Sequence, residues 1–199
     1  MRIIIDGTVG AGKTTLITGN SQRDVEHKKY LGLSELGFPV YTDLITNVIK
    51  ELRDRGISDP SLDWNLFFDV AVKHCISNYN SASNNTINFY DRGIYFLELL
   101  AKRYDQQLPQ SYFDFCKDYL YDNPVFIFEP ILSIDMTHPH ETDNKQKCYT
   151  VEDRIRQHRD VIDLYKKWGY DVIEVPLESN NPNDSNIFRL NFIKKVLNI

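Results

Sequence analysis

The chain has 199 residues, 42% of them hydrophobic and 13% aromatic, so it can form a sizeable core and long disordered segments are not expected. Its formal charge of −5 argues against a general nucleic-acid binder, which would carry a basic face. Three scattered cysteines match no disulfide framework or CxxC metal site, and no apolar run approaches the ~18 residues of a membrane span. We therefore expect one cytoplasmic domain over residues 1–199 that binds neither nucleic acid nor membranes.

Short apolar runs alternate with longer amphipathic ones along the chain. Five strands are predicted, at Arg2–Asp6, Phe38–Thr42, Thr86–Tyr90, Pro124–Phe128 and Asp171–Pro176. Helices are predicted after Asp43, from an Asp59–Pro60 start to about Tyr79, and over Tyr95–Tyr104, Gln110–Tyr121, Val151–Trp168 and Ile187–Leu197. Strands that alternate with helices indicate a doubly wound α/β fold, with helices on both faces of a parallel sheet.

The first predicted strand runs directly into a glycine-rich segment, Gly7-Thr8-Val9-Gly10-Ala11-Gly12-Lys13-Thr14-Thr15. It matches G-x-x-x-x-G-K-[ST], a loop whose backbone N–H groups surround phosphate oxygens. Glycine is needed because a side chain would clash at the required dihedrals or with the phosphate. Lys13 is expected to reach the β- and γ-phosphates, and Thr14 to offer its hydroxyl to Mg²⁺. Residues 7–15 are therefore predicted to bind a nucleoside triphosphate, either ATP or GTP.

The third predicted strand ends in "INFYDRG", which brings Asp91 to the carboxyl edge where open α/β sheets bind ligands. Asp91 at that position suits a carboxylate that organises Mg²⁺, and Arg92 adds a fixed cation beside it. The alternatives are that Asp91 caps the next helix and that Arg92 forms a surface salt bridge.

Several expected motifs of other P-loop classes are absent. A small GTPase would show DxxG after the Mg²⁺ strand and NKxD later, whereas Asp91 is followed by "RGI" and "NKQK" lacks the aspartate. A motor-type ATPase would usually carry Asp-Glu at the end of that strand, where this chain has Asp-Arg. A compact phosphotransferase, with a second substrate beside the γ-phosphate, is the class that remains.

The motifs also resemble known families. "GTVGAGKTT" is similar to the phosphate loop of deoxynucleoside kinases, and "DRG" to the Asp-Arg motif of thymidylate and nucleoside kinases. The run "YTVEDRIRQHRDVIDLYKKWGYDVIEVP" resembles the AAA-type P-loop domain family that includes the ribosylnicotinamide kinase module of bacterial NAD regulators. This resemblance implies a five-stranded parallel sheet, an arginine-bearing lid, ATP or GTP with Mg²⁺, and a nucleoside-like or nucleotide-like acceptor.

The chain departs from that family at the end of the second strand, where Thr42-Asp43 replaces the usual Glu followed by an Arg. Asp43 is a candidate to orient or deprotonate the acceptor hydroxyl, and an N-cap of the next helix is almost equally expected. A polar lid is predicted at about residues 133–159. Within it Arg154 is a candidate to bind the phosphates, together with one of Arg156 or Arg159, which share a helix face at i,i+3; a solvated helix face is the alternative.

These observations predict an ATP-dependent small-molecule kinase that phosphorylates a nucleoside or nucleoside monophosphate. The alternative is a GTP- or ATP-dependent binding or regulatory module with only slow hydrolysis, which the missing Arg after Asp43 favours. Lys13, Asp43, Asp91, Arg92, Arg154 and Arg159 form the predicted catalytic set, and Thr14 and Asp91 the predicted metal ligands. The sequence leaves a homodimer open.

Overall fold

The computed structural model describes residues 1–19, 30–42, 44–57, 59, 63–133, 150–178 and 182–199. For residues 182 and 183 it describes the backbone only. The five predicted strands are confirmed as β1 to β5, at Arg2–Gly7, Val40–Tyr41, Asn88–Asp91, Val125–Phe128 and Val172–Val175. In the described ranges seven helices, α1 to α7, cover Lys13–Thr18, Leu44–Asp54, Trp64–Ser81, Phe96–Tyr104, Gln110–Asp118, Val151–Lys167 and Pro182–Leu197. None of these helices is long and apolar enough to span a bilayer.

All the strands are parallel and form one sheet in the order β2-β3-β1-β4-β5, which confirms the doubly wound α/β fold. The central strand β1 pairs with β3 on one side and with β4 on the other. The chain reverses its winding direction at β1, so the carboxyl edge of β1 is the switch point where such sheets bind ligands.

Two apolar cores cover the two faces of the sheet, because successive side chains of a strand point to opposite faces. Ile4 belongs to the core beneath α2 to α6, whereas Ile3 and Ile5 belong to the core beneath α1 and α7. All three isoleucines are fully buried, as expected of a strand covered on both sides. The sheet therefore holds the residues at the end of β1 on a rigid support.

The start predicted at Asp59–Pro60 for the helix that ends near Tyr79 is wrong. This helix, α3, begins at Trp64, and its N-cap is Asp63, whose carboxylate accepts a hydrogen bond from Leu66 N. Asp59 therefore lies before the helix, and Pro60 is outside the described residues. Both aspartates precede helix-compatible sequence, and only the one that reaches a free backbone N–H of the first turn caps the helix.

Candidate active site

The phosphate loop follows β1 and approaches the neighbouring strand closely. Gly7 has a φ of 145°, and a Cβ there would lie 2.8 Å from the carbonyl oxygen of Phe128 in β4. Gly12, directly before α1, has a φ of 84°. The backbone conformation disfavours a side chain at both glycines, and at Gly7 a side chain would also clash with Phe128. The glycines of the motif thus give the loop its path between β1 and α1.

Lys13 lies inside the loop. Its ammonium group donates hydrogen bonds to the carbonyls of Gly7 and Thr8, at 2.9 and 2.8 Å, and its side chain is buried. Burial lowers the pKa of Lys13 to about 8; the Arg92 charge adds to this effect and the Asp91 carboxylate opposes it. A lysine held in this way carries a charge that a bound phosphate would stabilise.

The predicted metal ligands lie together. Thr14 Oγ1 donates to Asp91 Oδ2 at 3.2 Å, although the two residues come from different elements. Asp91 Oδ1 is buried and has no hydrogen-bond partner among the described residues. A hydroxyl and a carboxylate are oxygen ligands of the kind Mg²⁺ prefers, so this pair fits the ion. The N-cap alternative for Asp91 does not hold, since Tyr95 precedes α4 and no side chain caps that helix.

Arg92 faces the loop from the end of β3. Its Nε lies 3.7 Å from Asp6 Oδ1, and its guanidinium carbon lies 4.0 Å from the centre of the Phe96 ring. The backbone of Arg92 has a φ of 70°, a conformation that few non-glycine residues adopt. The surface salt bridge considered for Arg92 is therefore wrong, because the carboxylate it meets is fully buried.

Asp6 is a site residue that the sequence analysis missed. Its Oδ1 accepts a hydrogen bond of 2.7 Å from Gly7 N, and its Oδ2 accepts one of 2.8 Å from the Tyr165 hydroxyl. Burial raises the pKa of this carboxyl group, and the charges of Arg92 and Lys13 oppose the shift. An ionisable residue at the end of the apolar run "IIID", directly before the first glycine, was a visible signal.

A cleft of about 450 Å³ opens beside Gly7, Thr8 and Val9, between α4 and α6. Glu98, in the first turn of α4, accepts hydrogen bonds from Lys167 and Trp168 at the end of α6. These hydrogen bonds join the start of α4 to the end of α6. The cleft is lined along α4 from Phe96 to Arg103 and along α6 from Asp153 to Val161, and its volume is in the range of small-molecule sites.

The structure separates the three arginines at the start of α6. Arg154 is buried and donates hydrogen bonds to the carbonyls of Ile131 and Leu132, at 2.8 and 3.0 Å, directly before the predicted lid. Arg156, absent from the predicted catalytic set, lines the cleft and pairs with Asp153. Arg159 is exposed and does not line the cleft. The i,i+3 spacing therefore did not identify which arginine faces the site.

A second missed residue, Arg189, supports the loop from the opposite face of the sheet. This buried side chain in α7 donates to the carbonyls of Ala11, Glu129 and Pro176, at 2.5, 2.8 and 3.3 Å. Its burial lowers its pKa to about 10. One guanidinium therefore connects the phosphate loop with the ends of β4 and β5.

Two predicted features fall outside the described residues. These are Asp43 and residues 134–149, which form most of the predicted lid. Among the residues that are described, no cluster of three or more His, Cys, Asp or Glu side chains could hold a metal ion.

The sheet is parallel with the order β2-β3-β1-β4-β5, and a glycine-rich loop follows its central strand. Thr14 lies opposite Asp91 at the same edge. Together these features define a P-loop protein with a kinase-like fold. The sequence profile of the AAA domain family matches residues 2–181, and the chain belongs to this family. The resemblance to AAA-type P-loop proteins is thereby confirmed at the family level.

No curated protein matches the chain. Among solved structures, shikimate kinase from Bacteroides thetaiotaomicron is similar over 100% of this chain and 99% of its own, with 13% sequence identity and a TM-score of 0.45. A likeness at this level carries no information about the substrate.

Proposed function

We propose that the protein is an ATP-dependent small-molecule kinase, and that it transfers the γ-phosphoryl group to a nucleoside or nucleoside monophosphate. The observation that supports this most is the cleft between α4 and α6, which begins at Gly7, Thr8 and Val9 of the phosphate loop. A kinase must hold a second substrate beside the γ-phosphate, and a cavity of this size next to the loop meets that requirement.

The residues that would bind the nucleotide are those of the loop and the end of β3. Backbone N–H groups of residues 7–15 would bind the phosphates, and the Lys13 ammonium would neutralise part of their charge. Thr14 and Asp91 would hold Mg²⁺, which when bound neutralises phosphate charge. GTP in place of ATP is compatible with every contact in this set.

The cleft side of the site offers guanidinium groups for the transferred phosphoryl group. Arg92 is held by Asp6 and Phe96, and Arg156 enters from α6. Arginine suits this task because its planar fork can bind two phosphate oxygens at once. Asp43 is the proposed group that orients or deprotonates the acceptor. A lid at about residues 133–159 would exclude water, which otherwise competes with the acceptor.

A direct test combines purified protein, Mg·ATP and a panel of nucleosides and nucleoside monophosphates, with ADP release followed by a coupled assay. We expect release that depends on one class of acceptor, together with a phosphorylated product identified by mass spectrometry. Lys13→Met should abolish both signals, and a thermal melt of that variant checks its fold. Release that is slow and indifferent to every acceptor would favour the regulatory module instead.

A further inference from the structure

Of the described residues that line the cleft, two carry carboxylates, Asp153 and Asp160. Asp153 is engaged, because it accepts hydrogen bonds from Thr150 and pairs with Arg156. Asp160 is half-buried, and among the residues that the structure describes its side chain forms no hydrogen bond or ion pair. A carboxylate that lines a small-molecule cleft and has no task in the fold is a candidate to bind a ligand.

Asp160 lies in the part of α6 that leads to the phosphate loop. The next residue, Val161, is buried and also lines the cleft. Tyr165 follows Asp160 by five residues, roughly 7.5 Å along the helix axis, and its hydroxyl meets Asp6 directly before the loop. Val9 of the loop lines the same cleft. An acceptor with its reacting group at the loop would therefore extend along the wall that carries Asp160.

The cleft is also lined by apolar side chains, Phe96, Leu99 and Leu100 from α4 and Val161 from α6. A ligand that packs against them displaces water from the cleft, and with it water from the Asp160 carboxylate. An ionised carboxylate accepts hydrogen bonds and donates none, and covering it without a donor is costly. A ligand that fits the cleft is therefore one that supplies a donor at this position.

We propose that Asp160 determines which acceptors the cleft takes, and that the acceptor donates a hydrogen bond to it from a group other than the one that is phosphorylated. This inference rests on the proposed kinase function and narrows its substrate class to acceptors with such a second donor. In a nucleoside-like acceptor the donor is either an N–H group of the base or a second hydroxyl of the sugar. Asp43 remains the proposed partner of the accepting hydroxyl, so the two carboxylates bind different groups.

A competing explanation is that Asp160 only balances positive charge on the opposite wall, where Lys102 lines the cleft from α4. In that case its loss would affect every acceptor equally. The chain contains a matched control in Asp163, which lies three residues farther along α6, is exposed and does not line the cleft. Replacing Asp163 removes the same charge from the same helix and leaves the cleft unchanged.

The experiment compares acceptors in pairs that differ by one donor. In the base arm, adenosine, cytidine and guanosine are measured against analogues without the exocyclic amino group, and uridine against 3-methyluridine. In the sugar arm, ribonucleosides are measured against their 2′-deoxy and 3′-deoxy counterparts, which keep the 5′-hydroxyl. Both arms are repeated with 5′-monophosphates, so that either acceptor class can respond.

Wild type, Asp160→Asn, Asp160→Ala and Asp163→Asn are assayed for kcat and KM at fixed Mg·ATP, after thermal melts. For the wild type, removal of the donor in one arm should lower kcat/KM at least about tenfold, equivalent to about 1.4 kcal/mol. The reason is that the covered carboxylate is then left unpaired. Both Asp160 substitutions should remove most of this preference, mainly through KM of the donor-bearing acceptor, while Asp163→Asn keeps it.

Three results would overturn the role of Asp160 and leave the kinase intact. The first is equal use by the wild type of both members of every pair, a comparison that needs no variant. The second is a preference that survives both Asp160 substitutions. The third is a loss of activity in these variants that is equal for both members, as the balance of charge predicts. If no acceptor stimulates ADP release, the proposed function itself fails and this inference fails with it.

Discussion

The Tyr165 hydroxyl donates a hydrogen bond of 2.8 Å to Oδ2 of the fully buried Asp6. Tyr165 lies in α6, the helix that completes the predicted lid, whereas Asp6 directly precedes the phosphate loop. The same hydroxyl accepts a hydrogen bond of 3.3 Å from Gly93 N, in the turn that carries Arg92. One carboxylate therefore connects α6, the phosphate loop and the cationic end of β3.

Asp6→Asn should separate stability from nucleotide binding. Burial raises the pKa of Asp6 above 3.8, so its protonated form stabilises the fold at low pH, and this contribution is lost as the pH rises through the folded-state pKa. Asparagine does not titrate. The free energy of unfolding of Asp6→Asn should therefore gain on that of the wild type as the pH rises from 3.8 to the folded-state pKa of Asp6. Urea unfolding across this range measures the difference.

The same variant should bind Mg·ATP more weakly, because an amide cannot keep both the Gly7 N and Tyr165 hydrogen bonds and the pairing with Arg92. Tyr165→Phe should weaken binding in the same direction, whereas Tyr170→Phe is the matched control. In the same aromatic cluster, the Tyr170 hydroxyl forms hydrogen bonds with the Tyr95 hydroxyl and with Tyr121 N rather than with Asp6. Equal effects of the two tyrosine substitutions on nucleotide affinity would show that the Asp6 contact is only structural.

Asp91→Asn should weaken Mg·ATP binding and turnover together and raise the Mg²⁺ concentration needed for half-maximal activity. The reason is that Asp91 Oδ2 lies 3.2 Å from Thr14 Oγ1, and that the buried Asp91 Oδ1 is available to the ion. Asp118→Asn changes an exposed carboxylate at the end of α5 and serves as the control. An unchanged Mg²⁺ dependence in Asp91→Asn would contradict the metal assignment.

Asp43→Asn should lower kcat and leave the affinity for Mg·ATP nearly intact, if Asp43 serves the acceptor. Calorimetric titration of Mg·ATP into Asp43→Asn and Asp91→Asn distinguishes the two carboxylates, because only the second is expected to touch the nucleotide complex. Identical behaviour of the two variants would mean that at least one role is misassigned.

Mg·ATP binding should take up a proton at alkaline pH, because the pKa of Lys13 is about 8 in the empty loop and rises beside phosphate. At about pH 8.5 roughly three quarters of Lys13 is neutral before binding, compared with about a tenth at about pH 7. Affinity should therefore fall above about pH 8. Calorimetry in buffers of different ionisation enthalpy measures the uptake, which Lys13→Met should remove. An uptake that persists in this variant would assign the proton to another group.

The strands and the phosphate loop were predictable from sequence because their signals are local. Three isoleucines in a row indicate a strand covered on both faces, and Gly7, Gly12 and Lys13 have a fixed spacing. The roles of Asp6 and Arg189 depend on partners 159 and 178 residues away along the chain. No periodicity within β1 or α7 encodes those contacts, so the support of the loop from both faces of the sheet was missed.

The sequence could not tell which arginine of α6 lines the cleft, for a related reason. Helix spacing predicts which side chains share a face, but it does not tell which face meets the cleft. Arg154 turns towards the carbonyls of Ile131 and Leu132, and this contact depends on where the chain leaves β4. The predicted catalytic set contains Arg154 and Arg159, whereas Arg156 is the one of the three arginines that lines the cleft.

Arg156→Lys should lower kcat by about tenfold or more, equivalent to about 1.4 kcal/mol of barrier, while the affinity for Mg·ATP changes much less. The substitution keeps the positive charge and removes the planar fork, whose contact strengthens as charge spreads over the transferred phosphoryl group. Arg159→Lys makes the same change three residues along the same helix, at an exposed position away from the cleft, and should retain activity. Steady-state kinetics with the acceptor from the panel compares the two variants directly. A loss confined to Arg159→Lys would assign the phosphate contact to Arg159, the other member of the predicted i,i+3 pair.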